Sequence, residues 1–223
     1  MRKVGFSAAP LFAAAFIATA SMASSVSAQA AGEHGAMGAG HAVAPSLPDA
    51  EMKAIRAATE KYRDVAAALA DGYIKDPSNM CITSAMEGAP RQLGAMGVHY
   101  FRPDLLGLAG TEPRVHGNGM HTDFLKPAIL MYEPQADGSQ KLVGIENLVW
   151  ARPWKEAGNA GAPSFHGYDY YYMHDNPATE VDEAHGFEPH YELHFWMYQD
   201  NPSGMFAPFN PTVTCEHAAH GGH

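Results

Sequence analysis

The sequence is short of cysteine, of basic residues and of long apolar runs. Beyond residues 11–20 nothing approaches the ~20 consecutive apolar residues that a spanning helix needs, so no stretch reads as a membrane helix. Lys and Arg number 14 against 24 Asp and Glu, a formal charge of −10. A surface so acidic repels phosphate backbones and anionic lipid, which argues against nucleic acid and membrane as partners. Nucleophilic hydrolysis and nucleotide binding lose their usual signatures, since no Gly-x-Ser-x-Gly elbow and no phosphate-cradling Gly-rich loop occurs. No internal repeat is present. The two cysteines, Cys81 and Cys215, leave little scope for thiol catalysis.

Residues 1–30 have the layout of a secretory signal peptide. Arg2 and Lys3 begin it, the apolar run 11–20 follows, and Ala28-Gln29-Ala30 fits the small-x-small cleavage rule. Cleavage would take 30 of 223 residues, leave 193, and lower the basic count from 14 to 12. That length suits one domain with a real core. An exported, periplasmic or secreted chain with an even cysteine count favours a Cys81–Cys215 disulfide. The rival use of the pair is as two thiolate metal ligands.

The mature chain divides into a Gly/Ala/His-rich arm (31–48), one α+β domain (49–215) and a His-rich tail (216–223). The arm carries His34, Met37 and His41, and the tail His217, His220 and His223. Unfolded His-rich tracts of this kind can take up copper, nickel or zinc. Residues 49–73 predict an amphipathic helix, with Met52, Ile55, Thr59, Tyr62, Ala66, Leu69 and Tyr73 on one face and Ser46 or Asp49 as cap. Strands are expected at 94–101, 129–133 and 141–150, the last two as a hairpin. Segments 102–123 and 152–188 read as loops, the second long enough to suggest function. Together these elements predict a twisted antiparallel sheet, curled towards a half-barrel and covered by the N-terminal amphipathic helix.

Residues 188–198, EPHYELHFWMY, hold the most chemistry. Strand periodicity puts His190, Glu192 and His194 on one face, with Tyr191, Leu193 and Phe195 on the other. In the strand at 94–101, His99 lies opposite Val98 and Tyr100. Glu146 sits in an otherwise apolar strand, where an ionised carboxylate needs a partner. The zinc-protease helix motif is excluded, because Tyr191 stands where it requires Glu. On a flat strand His190 and His194 are about 13 Å apart, too far to share one ion unless the strand is bent or bulged.

GAMGVHYF, KLVGIENLV and PHYELHFWMYQDNPSGMFAPFNPTVTC resemble a family of exported bacterial proteins. Its pattern runs Met-Gly-x-His-Tyr, then Leu-Val-Gly-Val-Glu-Tyr, then Pro-His-Tyr-x-Leu-His-x-Trp, Asn-Pro-x-Gly-x-Phe and Asn-Pro-x-Val-x-Cys. The likeness covers about residues 50–215, with Asn147 where the pattern has Tyr. It implies an architecture and a site but no reaction, and points to His99, Glu146, His190 and His194. Two imidazoles and a carboxylate suit zinc, copper or non-haem iron, and the first expectation is an exported metal-binding protein, copper or zinc, that uses His99, Glu146 and His190 with His194 as fourth ligand or outer support. Two alternatives stand beside it. One is an enzyme of unknown substrate that uses the same cluster. The other is a metal-free module for a small organic ligand, walled by Tyr168–Tyr172, Trp196 and Tyr198.

Overall fold

A computed structural model describes residues 47–219. The expected signal segment, nearly all of the arm with Ser46, and tail residues His220 and His223 lie outside the described residues. No helix among the described residues is long and apolar enough to cross a membrane.

Residues 49–73, expected as a single helix, fold in three pieces: α1 (Asp49–Thr59), a 3-10 turn (Glu60–Arg63) and α2 (Val65–Ala70). The break falls at Asp64, whose backbone is extended and whose carboxylate accepts the Ala66 amide at 2.9 Å. Asp is a strong N-cap because its short side chain satisfies amides that a helix start leaves unpaired, and here capping wins over continuity. Ile55, Thr59, Tyr62 and Tyr73 of the expected face are buried, while Leu69 is exposed.

Short strands β1 (Ile74–Lys75) and β2 (Cys81–Thr83) lead to β3 (Ala95–Phe101). Then come α3 (Pro103–Leu106) and the small pair β4 (Leu108–Gly110) and β5 (His116–Gly117). The hairpin of β6 (Ile129–Pro134) and β7 (Gln140–Trp150) runs into α4 (Ala151–Glu156). After β8 (Ser164–Phe165), β9 (Tyr168–Asp169) and β10 (Tyr171–Met173) the chain reaches β11 (His190–Phe195). The segments read as loops thus contain α3, β4 and β5, and α4 with β8 to β10. Each of these pieces is too short for a hydrophobic period to register.

Seven strands form one antiparallel sheet in the order β1-β3-β6-β7-β11-β10, with β2 also on β3. It does not close into a barrel; β1 and β10 end it. Alternation gives its two faces different company. Val98, Tyr100, Leu130, Ile145, Val149, Leu193 and Phe195 enter the main core, together with Ile55 and Tyr62. On the other face Phe101, Ile129, Leu148 and Trp150 pack against Leu106, Val115 and Phe187 from covering segments. The polar side chains lie on this second face, beside that smaller apolar cluster.

Cys81 and Cys215 form a disulfide, Cα to Cα 5.7 Å, across 134 residues of chain. With both sulfurs bonded, neither can serve as a thiolate ligand. The bridge fixes β2 to the closing segment, where Ala95 and Asn210 also exchange backbone hydrogen bonds of 3.1 and 3.2 Å. So long a loop makes the cross-link worth about 2–5 kcal/mol through the unfolded chain. Urea unfolding of the Cys81→Ala/Cys215→Ala variant should show a loss of that size; a loss under about 1 kcal/mol would mean that the closing segment is held by packing alone.

Candidate metal centre

The site begins with strand register. His190, Glu192 and His194 of β11 stand opposite Trp150, Leu148 and Glu146 of β7, so His194 and Glu146 are direct cross-strand partners. His99 reaches towards them from β3, over β6. On β7, Gly144 leaves room next to Glu146: a Cβ there would lie 2.5 Å from the Met131 methyl. Burial is nearly complete, with 0% exposure for His190 and His194, 1% for Glu192, 2% for Glu146 and 4% for His99.

Two groups of three emerge from this surface. In the first, Glu146 Oε2 lies 3.3 Å from His99 Nε2 and 3.5 Å from His194 Nε2. In the second, His190 Nε2 lies 3.2 Å from Glu192 Oε2, and His185 completes the group. Within each trio the three potential ligand atoms lie within 4.8 Å of one another. Glu192 stands between the trios, since its Oε1 is 3.8 Å from His194 Nδ1.

The covering segments add two side chains that the sequence reading did not name, Glu87 and His185. Glu87 sits in the turn after β2, and its Oε1 is 3.1 Å from His185 Nδ1. The next residue, Gly88, packs its α-carbon towards Val181, so the two covering segments meet there. His185 has a left-handed backbone, φ 39°, rare for a residue with a Cβ. Neighbouring bonds hold it in that form. Val115 donates to Gly186 O at 2.8 Å and accepts from the Glu188 amide at 2.9 Å. Arg114 binds Phe187 O and Asp182, each at 2.7 Å, and pairs with Asp175 at 2.9 Å.

Many of these buried polar atoms lack a hydrogen-bond partner. They are both Glu87 oxygens, His99 Nε2, Glu146 Oε2, His185 Nδ1, Glu192 Oε1 and both His194 nitrogens. Glu87 and His185 are therefore close enough for an ion pair yet misaligned for a hydrogen bond. Buried polar atoms are normally paired, and each exception asks for a reason. A cation placed between lone pairs is one such reason, because a metal bond needs no hydrogen on either atom.

Burial sets the protonation pattern. Desolvation, helped by His185 and His194 nearby, drives the His99 imidazole down to about 3. Desolvation likewise lowers His194. It pushes the Glu146 carboxyl well above its usual range and Glu87 up to about 7. Two groups go the other way. At His185 burial opposes charge, but Glu87, Glu192 and Glu146 outweigh it and hold the imidazole up at about 9. At Glu192 the imidazoles of His194 and His190 overcome burial and hold the carboxylate low. Without metal, then, the first trio is two neutral imidazoles around a protonated carboxyl.

Of the four residues named from sequence, the structure brings His99, Glu146 and His194 into one trio and puts His190 in the other. Glu192, not among those four, groups with His190. The aromatic residues expected to wall an organic site do not gather. Trp196 is buried against His194, with ring centroids 6.1 Å apart, and Tyr198 packs on Arg56, Arg63 and Thr59. Tyr172 does line a cleft of about 670 Å³ with Trp150, Lys155, Glu188 and Pro189. None of the seven clustered residues lines that cleft; the Trp150 ring stands between it and His190, 6.2 Å away. In comparisons with known proteins, no family model, no curated protein and no solved structure matches the chain.

A raised carboxyl leaves a sign in the stability of the metal-free protein. Above pH 4.5 folded Glu146 keeps a proton that the unfolded chain has lost, so its contribution to stability falls as pH rises. In chelator, Glu146→Gln should melt no lower than wild type, with an advantage that widens from pH 4.5 to pH 8. Leu193→Ala, on the other face of the sheet, should instead cost about 2–5 kcal/mol. Thermal melts across that pH range check both; an advantage that narrows with pH would overturn the assignment of a buried protonated carboxyl.

Proposed function

We propose that this chain is an exported metal-binding protein whose ion, zinc or copper(II), is held by His99, Glu146 and His194. The observation that carries the reading is the set of unpartnered, fully enclosed ligand atoms around Glu146 Oε2. Zinc bonds of 2.0–2.2 Å in a tetrahedral arrangement place ligand atoms about 3.3–3.5 Å apart. The distances from Glu146 Oε2 to the two Nε2 atoms, 3.3 and 3.5 Å, suit that spacing. The donors are nitrogen and oxygen only, which favours zinc or copper(II) over a thiolate-seeking copper(I) site. The disulfide fits an oxidising compartment, and the leader-like residues 1–30 fit periplasmic or secreted export. Three protein donors leave the fourth position of a tetrahedral ion to water, and it is the burial of the whole trio, which keeps substrate away, that favours a held ion over a hydrolytic one. As the ion enters, it takes the place of the Glu146 proton, and binding therefore tightens as pH rises.

A second reading, a small-organic-ligand module, is favoured by the cleft beside Trp150 and Tyr172. Thermal shift separates the two: stabilisation by an organic ligand that chelator leaves untouched supports the cleft.

The terminal histidines must not supply the answer, so the test uses the full chain carrying His34→Asn, His41→Asn, His217→Asn, His220→Asn and His223→Asn. Elemental analysis after zinc or copper(II) loading and dialysis should find at least about one ion per chain, and less than about a tenth would sink the proposal. His99→Ala and His194→Ala should each weaken binding at least ~100-fold, with their folded state checked by circular dichroism. Titration calorimetry at pH 7 in buffers of different ionisation enthalpy should report about one proton released per first ion bound.

A further inference from the structure

One ion at Glu146 leaves half of the cluster unexplained. An ion with bonds near 2 Å cannot also reach His190, which lies about 13 Å along β11 from His194. Part of the second trio repeats the problem of the first, since His185 Nδ1 and Glu192 Oε1 are buried without a hydrogen-bond partner. The Nδ1 of His190 faces the Glu188 carbonyl oxygen at 2.9 Å, and an oxygen of that kind only accepts, so Nδ1 must donate. The ring's Nε2 lies 3.2 Å from Glu192 Oε2, a contact that a proton on Nε2 makes a hydrogen bond in the metal-free protein and that a divalent ion can take over in place of that proton. A backbone carbonyl on one ring nitrogen, with the other turned to a buried carboxylate, is the usual outer support of a metal-binding histidine. Close by, Glu87 has both oxygens buried and without a hydrogen bond, and His185 Nδ1 stands 3.1 Å from its Oε1, an ion pair that is not hydrogen-bonded.

We propose a second ion site at His185, His190 and Glu192, overlaid by Glu87, that takes a divalent transition metal and forms a two-ion centre with the first. It rests on the reading of the first trio as a metal site. Glu192 joins the two halves. Its Oε2 faces His190 and ligates the second ion, while its Oε1 lies 3.8 Å from His194 Nδ1, too far for a hydrogen bond but close enough for its charge to favour a proton on Nδ1, which leaves Nε2 to face the first ion.

The test uses the full chain with the five terminal histidines replaced as above, loaded with zinc and, separately, with copper(II). The wild-type site should hold two ions per chain. Two copper(II) ions this close should couple, so the paramagnetic signal integrates to much less than the copper present. His190→Ala and His185→Ala should each fall to one ion and recover an uncoupled copper(II) signal. Glu192→Gln should lose the second ion and weaken the first by ~10–100-fold, a loss that a merely space-filling residue would not cause. One ion in the wild-type chain, lost in His99→Ala but unchanged in His185→Ala and His190→Ala, overturns the second site and leaves the first standing. No bound ion in the wild-type chain overturns both.

Discussion

The controlling constraint in this molecule is the burial of ionisable groups. Three carboxyls and four imidazoles occupy the closed side of a sheet where exposure does not exceed 7%. Moving an ionised carboxylate out of water costs several kcal/mol unless a partner compensates, and here the partners are aligned only in part. The metal-free cluster meets that cost by redistributing protons. Glu146 keeps one, His99 and His194 give theirs up, and His185 stays charged among carboxylates. Such an arrangement opposes folding unless the surrounding structure imposes it.

The rest of the fold supplies that imposition. The opposite face of the sheet is apolar and packs with Ile55 and Tyr62, giving the strands a reason to form that is independent of the polar groups. Register then leaves little freedom: once Leu193 and Phe195 face the main core, His190, Glu192 and His194 must face the other way. Arg114 and the Val115 backbone hold the segment that carries His185, and the Cys81–Cys215 bridge anchors the strand that precedes Glu87. Local strain at His185 is tolerated because these contacts over-determine its position.

Those features differ in how legibly they stand in the sequence. Period-two patterning made β3, β6, β7 and β11 readable, and with them the face that carries His99, Glu146, His190 and His194. It did not sort them: the expected set joined His190 to His99 and Glu146 with His194 in the fourth place, whereas register puts His194 opposite Glu146 and His190 in the other trio. The division of 49–73 at Asp64 was not legible from periodicity, because the apolar period continues past it. Glu87 and His185 were illegible for a different reason. Both lie in irregular segments where no period links side-chain direction to position, and only tertiary packing brings them over the sheet. The one local hint was His185-Gly186, a pair suited to a tight left-handed turn, which directs a side chain without saying where it goes.

The lid formed by the turn at Glu87 and the segment through His185 also sets a timescale. An ion beneath it meets bulk water only when those contacts part, so its departure is governed by the rate of local opening as well as by bond strength. Arg114, half-buried and bonded to the segment that carries His185 rather than to the ligand atoms, becomes a determinant of residence time. Such a molecule is suited to retaining cargo through changes in its surroundings, and poorly suited to handing that cargo quickly to a neighbour.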